Sequence, residues 1–177
     1  ARAARTAAGR VIMFADTAAE LRSAIAELGR HTVDGFPVTE VLIEERLEIE
    51  HEYFFSYFID DQSATARFLF AATGGSGVET ALTDDPSALQ SATVSTTTPV
   101  RVHRIREVLR RAGLHGRELV QLAQLIARAL ETAISIEARS LEINPIVRTS
   151  DGRHLAADCR ITVDDYAVFR HPELHIE

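Results

Sequence analysis

The stretch SLEINPIVRTSDGRHLAADCR, residues 140–160, is the part of the chain whose reading decides the fold. It reads as two short strands joined by a tight turn. Leu141, Ile143, Ile146 and Val147 carry the first strand, Leu155, Ala156, Ala157 and Ile161 the second, and Ser150-Asp151-Gly152 is the turn signal between them. Successive side chains on a strand point to opposite faces, so Glu142 and Asn144 share one face while Leu141 and Ile143 take the other. If residues 150–152 form the loop, Asn144 lies opposite Asp158 and Glu142 opposite Arg160. Cross-strand partners have Cβ atoms about 4.5–5.5 Å apart. One hairpin face would then present an acid, an amide oxygen and a second acid, hard oxygen donors suited to Mg²⁺. The same pattern also fits a hairpin face that is merely solvated.

The chain has 177 residues, enough for one domain or a two-lobed one with a sizeable core. Its charged fraction of 25% and hydrophobic fraction of 46% are ordinary for a folded protein, so global disorder is not expected. A formal charge of −7 argues against nucleic acid or an anionic membrane surface as the main partner. All 19 basic residues are arginine. Without a lysine there is no Walker-type phosphate loop and no Schiff-base chemistry within the chain. The single cysteine, Cys159, excludes an internal disulfide and a cysteine-based zinc site and suits a reducing, cytoplasmic setting. No apolar run approaches the roughly 18 residues of a membrane span. The chain opens on Ala1 in an Ala/Arg-rich stretch, which suggests that it begins within a longer protein.

Ahead of the hairpin the pattern alternates between α and β signals. Gly9 could permit a tight turn, residues 11–14 form a short apolar strand candidate, and Thr17 with Glu20 makes a capping box. Leu21, Ile25 and Leu28 then follow helical spacing up to Gly29. From Val38 to about residue 73 the period becomes that of strands. Tyr53, Phe55, Tyr57 and Ile59 alternate with Phe54, Ser56 and Phe58, and a turn at Asp60-Asp61-Gln62-Ser63 leads back through residues 67–72. The aromatic stripe reads as the core of an antiparallel sheet. Glu44, Glu45, Glu48, Glu50 and Glu52 read as a solvated edge. Residues 73–99 form a polar connection around Gly74-Gly75-Ser76-Gly77, either a phosphate-wrapping backbone or a mobile linker. Two helices come next, one through Val102, Ile105, Val108 and Leu109, the other from about Gly116 to Glu137. The seven histidines read as surface or local hydrogen-bonding residues, and there is no GxSxG elbow.

Three segments, VLIEERLEIEHEYFF (41–55), LEINPIVRTSDGRHLAADCRI (141–161) and DDYAVFRHPEL (164–174), resemble the ATP-grasp domain of the β subunit of ADP-forming succinyl-CoA synthetase and its acyl-CoA synthetase relatives. AGLHGRELVQLAQLIARALE (112–131) is similar to the helix pair that precedes the family's EINP strand. The resemblance implies an α+β, two-lobed ATP-grasp fold, mostly antiparallel sheet with flanking helices. It divides the chain into part of an N-terminal lobe, 1–37, and a C-terminal lobe with the metal hairpin, 38–177.

It also implies roles. Asn144 and Asp158 match the family's Mg²⁺ ligands, the pair that the hairpin register sets opposite each other. Glu142 matches the acid that handles the phosphoryl group on its way to a histidine. Glu44, Leu47 and Glu52 match nucleotide-site positions, which leaves Glu45, Glu48 and Glu50 as solvated charge. The implied cofactors are ATP and Mg²⁺. The implied partners are an α-type CoA-binding subunit or domain carrying the phosphohistidine, with CoA and a carboxylic acid as substrates of the complete enzyme. Departures accompany the match. ARTAAGRV (4–11) looks like the eroded end of a glycine loop, the family's ATP-binding lysine has no counterpart in this sequence, and the resemblance implies that a CoA-ligase domain would begin just after FRHPEL, where the sequence stops. Tyr166 stands where asparagine is usual and Arg160 where lysine is usual. The expected function is therefore the nucleotide-binding part of an acid–CoA ligase, incomplete alone. The alternative is a degenerate, non-catalytic ATP-grasp module acting as scaffold or regulatory subunit, and a carboxylate–amine ligase on the same fold ranks last. A face left uncovered by the missing lobe could also bring copies together as a homo-oligomer.

Overall fold

Thr17 starts the first helix of the chain as its sequence requires. Its hydroxyl accepts from the Glu20 N–H at 3.2 Å, and Glu20 reaches back to the Asp16 N–H at 2.9 Å, so the capping box closes one residue further out than the standard form. In the computed structural model, which describes residues 3–5, 11–33 and 35–176, this helix belongs to the first of two compact units, Ala1–Leu47 and Glu48–Glu177. The division falls at Leu47/Glu48, whereas the sequence reading put the lobe boundary at 37/38. In the first unit, strands β1 (Ala3–Arg5) and β2 (Val11–Met13) pair antiparallel; helix α1 (Ala18–Leu28) follows and gives way at Gly29 to the small hairpin β3 (Thr32–Val33) and β4 (Phe36–Pro37). The turn expected at Gly9 lies outside the described residues. Residues 38–48 form neither strand nor helix, contrary to the strand expected there. Leu42, Ile43 and the glutamates among these residues are exposed, so no alternation of buried and exposed faces holds them to a sheet.

The second unit is built on one long ribbon. Strand β5 (Ile49–Asp60) pairs antiparallel with β6 (Thr65–Ala71) across a turn in which Asp60 accepts from the Gln62 N–H at 3.1 Å and from the Ser63 hydroxyl at 2.7 Å. The connection from 73 to 99 is more structured than its composition suggests. It contains helix α2 (Val78–Asp84), a 3-10 turn (Pro86–Ala88) and strand β7 (Gln90–Val94), which pairs with β6 as the sheet's edge. The polar sequence QSATV hid that strand, because an edge strand with alternate residues in solvent needs little apolar content.

Helices α3 (Val102–Arg111) and α4 (Gly116–Ser135) follow, joined through Gly113, whose φ of +89° suits a residue without a side chain. Strands β8 (Ala138–Thr149), β9 (His154–Ala156) and β10 (Cys159–Val163) complete the sheet, with order β10-β8-β5-β6-β7 and β9 also on β8. All the pairings are antiparallel. Two 3-10 turns, Val168–Arg170 and Pro172–Leu174, close the chain.

The core lies between the sheet and the helix pair. Tyr53, Phe55 and Tyr57 from β5, Phe68 and Phe70 from β6, and Leu141, Ile143 and Ile146 from β8 meet Ile105 and Leu109 of α3 and Leu122, Ile126 and Leu130 of α4. The alternating aromatics thus supply the face that the helices cover, as expected. The result is a two-layer α+β unit whose other sheet face carries Ser56 and Glu142 beside Phe54, Phe58 and Leu69.

Candidate functional site

The hairpin register is the one read from the sequence. Arg160 lies opposite Glu142 and Cys159 opposite Ile143 on β10, while Ala156 lies opposite Ile146 and His154 opposite Arg148 on β9. The turn closes with the Gly152 N–H on the Thr149 carbonyl at 2.8 Å. One interruption divides the second arm into β9 and β10, and its cause is Pro145. A proline has no N–H for the ladder, so a strand interior admits it only where pairing is broken. On one side the register with β5 slips between Tyr53 and Phe55; on the other, Ala157 and Asp158 leave the strand. Two backbone hydrogen bonds span the break, Ala157 N–H to the Pro145 carbonyl at 3.0 Å and Asn144 N–H to the Asp158 carbonyl at 3.3 Å. The Asn144–Asp158 pair therefore sits where the sheet opens.

Asn144 is half-buried, and its amide oxygen accepts from the Gly75 N–H at 2.8 Å. The Gly74-Gly75 backbone is pressed against β5 to make that bond. A Cβ on Gly74 would stand 2.5 Å from the Tyr53 carbonyl carbon, and one on Gly75 would collide with the Glu52 carboxylate. Glu52 thus lies over Gly75 while Gly75 holds Asn144. Asp158 Oδ1 accepts from the Cys159 N–H at 2.9 Å. Glu142 is exposed one alternation back from Asn144, and its carboxylate has no hydrogen bond or ion pair with the described residues. Four of the expected site residues, Glu52, Glu142, Asn144 and Asp158, are therefore carried by β5 and the β8 hairpin of one unit. Glu44, exposed, and Leu47, half-buried, belong to the other unit. Gly75 was legible only as part of a glycine-rich turn; its role depends on neighbours on two other strands.

The donor set can be tested for a metal. Among the described residues no group of three or more His, Cys, Asp or Glu side chains could hold an ion, so an all-protein cage for Zn²⁺ or Ca²⁺ is not formed by them. An amide oxygen and a carboxylate, each accepting from a backbone N–H, are hard oxygen donors of the kind that fits Mg²⁺, which takes few protein oxygens and completes its shell with water and phosphate.

A second polar cluster was not foreseen. The buried Tyr53 hydroxyl donates to Glu118 Oε1, which also accepts from Arg148 Nη1 at 2.7 Å; Arg148 Nη2 lies 3.4 Å from Glu50. Burial, then the hydrogen bond to Glu118, holds the Tyr53 hydroxyl far above its ordinary value. Burial alone would raise the Glu118 carboxyl, but the hydrogen bonds from Tyr53 and Arg148 and the Arg148 charge outweigh it and leave it lowered. His154 departs from the expected surface role. Both its ring nitrogens are buried without a hydrogen-bond partner, and burial lowers its pKa. The members are scattered over the chain, so no local motif could reveal them.

Comparison with known proteins follows this geometry. The ATP-grasp domain family matches residues 4–148. Curated relatives include the β subunit 1 of the ADP-forming succinate–CoA ligase of Archaeoglobus fulgidus, 36% identical over 143 residues that are 81% of this chain and 37% of that one. The corresponding β subunit of Zymomonas mobilis is 33% identical over 94% of this chain and 43% of its own length. The GDP-forming β subunit of Thermus thermophilus is 34% identical over 92% and 43%. The chain thus spans less than half the length of these relatives. Among solved structures, ATP citrate lyase from Methanothrix soehngenii matches with a TM-score of 0.61 at 18% identity, over 91% of this chain and 36% of that one. The dinucleotide-forming acetyl-coenzyme A synthetase 1 of Ca. Korarchaeum cryptofilum matches with a TM-score of 0.56 at 13% identity, over 90% and 72%. These two likenesses concern the fold.

Proposed function

The chain belongs to the ATP-grasp domain family, and on that premise we propose that it is the nucleotide- and Mg²⁺-binding part of an acid–CoA ligase of the succinyl-CoA synthetase β type. The observation that carries this reading is the convergence of Asn144, Asp158, Gly75 and Glu52 at the break in the β8 hairpin. In it, Asn144 and Asp158 hold the metal, and Glu52 of this unit contacts the nucleotide; Glu44 and Leu47 of the other unit are nucleotide-contacting positions in the same reading. Bound Mg²⁺ would supply charge neutralisation on the phosphates of ATP. Phosphoryl transfer asks the protein for alignment rather than for a strong base. The Gly75 N–H fixes the Asn144 amide and the Cys159 N–H fixes the Asp158 carboxylate; in this reading Glu142 is the acid that handles the transferred group. The phosphoryl acceptor is a histidine of an α-type CoA-binding partner, and the complete enzyme joins a carboxylic acid to CoA in the cytoplasm. The lobe boundary belongs to this reading: the N-terminal part, 1–37, precedes a lobe that begins at Val38, and copies of the chain associate where the rest of the protein would pack.

Isothermal calorimetry of Mg-ATP binding tests the proposal. Asn144→Ala and Asp158→Ala each weaken binding by about tenfold or more, in the range seen when a metal site loses a supporting group, while thermal melts show the folded core intact. Equal ATP affinity in the wild type and both variants would overturn it. One observation favours a second reading, a scaffold or regulatory module without catalysis: the chain has no lysine to hold the phosphates. ATP binding without any phosphoryl transfer to an added α-type partner would decide for that reading.

A further inference from the structure

On the N-terminal side of Phe54, strand β5 loses one neighbour. Its ladder with β6 ends at the pair Phe54–Ala71, while β8 stays alongside through Tyr53–Ile146 and His51–Arg148. The segment from Ala72 to Gly75 lies along the edge that β6 vacates, held by side chains instead of a ladder. At its start the Ala72 carbonyl, a backbone group in need of a donor, accepts from His51 Nε2 at 2.8 Å. A carbonyl oxygen only accepts, so the His51 proton sits on Nε2. At its end the Gly75 N–H donates to the Asn144 amide oxygen at 2.8 Å. Between the two, Gly74 is pressed on the Tyr53 main chain.

The grip comes from both faces of β5. Side chains alternate along a strand, so His51 and Tyr53 share one face and Glu52 takes the other. The His51 ring lies against the Tyr53 ring, with centroids 4.5 Å apart and planes at 54°. Tyr53 is itself 2% exposed and pinned at its hydroxyl to Glu118 of α4. His51 therefore rests on a fixed side chain, which limits where its Nε2 can point. On the opposite face Glu52 lies over Gly75. The segment depends on such anchors because two of its four residues are glycine, whose backbone has the widest choice of conformations. Only Thr73 and Gly74 separate the two held residues, a span of at most about 11 Å, so release of one end is felt at the other.

We propose that His51 is a positioning residue for Asn144: by holding Ala72 it keeps the Gly75 N–H where it orients the Asn144 amide oxygen. The proposal rests on the reading of Asn144 as an Mg²⁺ ligand, and it adds a residue that acts through the glycine segment.

The test compares two variants. His51→Phe keeps a ring beside Tyr53 and loses the donor; His51→Gln offers an amide N–H at the reach of Nε2. Amide exchange of the free protein comes first, since it needs no ligand. Loss of one hydrogen bond of ordinary strength corresponds to about three- to tenfold. Gly75 should exchange faster by that factor in His51→Phe and at the wild-type rate in His51→Gln, with Phe68 and Phe70 of the sheet unchanged in both. Calorimetry of ATP binding over a range of Mg²⁺ concentrations follows. His51→Phe should raise the Mg²⁺ concentration for half-maximal ATP binding by about three- to tenfold, reach wild-type affinity at saturating Mg²⁺, and be rescued by glutamine. In an Asn144→Ala background His51→Phe should add no further loss, because it acts through Asn144. A residue that only supports the fold would weaken ATP at every Mg²⁺ concentration and add to Asn144→Ala. Unchanged Gly75 exchange in His51→Phe, a loss that persists at saturating Mg²⁺, a glutamine variant no better than the phenylalanine one, or an additive double variant would each overturn the proposal. A wild type without Mg²⁺-dependent ATP binding overturns the functional reading instead, and Gly75 exchange then decides whether His51 holds the segment.

Discussion

Gly74 and Gly75 are adjacent, and what stands over each of them differs. Above Gly74 is backbone, the Tyr53 carbonyl carbon, oxygen and nitrogen at 2.5, 2.6 and 2.9 Å from a hypothetical Cβ. Above Gly75 is the far end of a side chain, the Glu52 carboxylate, which can swing away. Gly75 also has a φ of +78°, where an L side chain costs about 1–2 kcal/mol. Gly75→Ala should therefore lower stability by that amount and displace Glu52. Gly74→Ala should cost more, about 2–3 kcal/mol, because strand and loop must part. Urea denaturation of the two variants checks the order; a Gly75→Ala protein less stable than Gly74→Ala would contradict it. A glycine pair in a sequence announces a turn. It does not say which atoms make a side chain intolerable, those of Tyr53 at Gly74 and of Glu52 at Gly75, or that the Gly75 N–H is held by Asn144, 69 positions away.

At the scale of elements, the β8 hairpin was the most legible part of the chain because its turn, its alternation and Pro145 all point to one register. The helices α3 and α4 were legible from their apolar spacing, and β5 and β6 from their aromatic stripe. What escaped were elements fixed by tertiary partners: β7, whose polar residues give no period, and the C-terminal tail. That tail is held by Glu137, the residue just before β8. Arg170 donates to both carboxylate oxygens of Glu137 at 2.8 Å, and His171 bridges Glu137 at 3.1 Å and Glu173 at 3.0 Å.

The Arg170 hydrogen bonds hold the Glu137 carboxyl down to about 2, and the hydrogen bonds to Glu173 and Glu137 raise His171. The Glu137 contribution is complete above its ordinary value of 4.5 and lost as pH falls through about 2. The His171 contribution is complete below its ordinary 6.5 and lost as pH rises through its raised value. Corrected for intrinsic exchange rates, amide exchange at Ala167, Arg170 and His171 should be slowest between about pH 4.5 and 6.5. Glu137→Gln should speed it, abolish the acid-side dependence and weaken the alkaline-side one, which Glu173 still supports; an unchanged profile in that variant would remove the clamp.

For the molecule as a whole, acid stability turns on histidines that pull in opposite directions. His171 gains a proton partner on folding, whereas His154 is folded away among Tyr53, Glu118 and Arg148 with neither ring nitrogen bonded. Burial, against the attraction of Glu118 and with the repulsion of Arg148, lowers the His154 pKa, so the unfolded chain binds a proton more readily than the folded one. Its contribution is therefore complete above the ordinary value of 6.5 and lost as pH falls through the lowered one. The lowered Glu118 carboxyl adds a loss of the same sign at lower pH, below its ordinary 4.5. His154→Phe keeps an aromatic ring beside Tyr53 and removes the titrating group. Urea midpoints measured from pH 7.5 down to 5 should fall for the wild type and fall less steeply for His154→Phe, the two curves separating from about pH 6.5 downward. Parallel curves would mean that His154 takes up its proton equally well folded and unfolded. A wild type that gains stability on acidification, with His154→Phe following it, would assign the pH response to His171 and the tail.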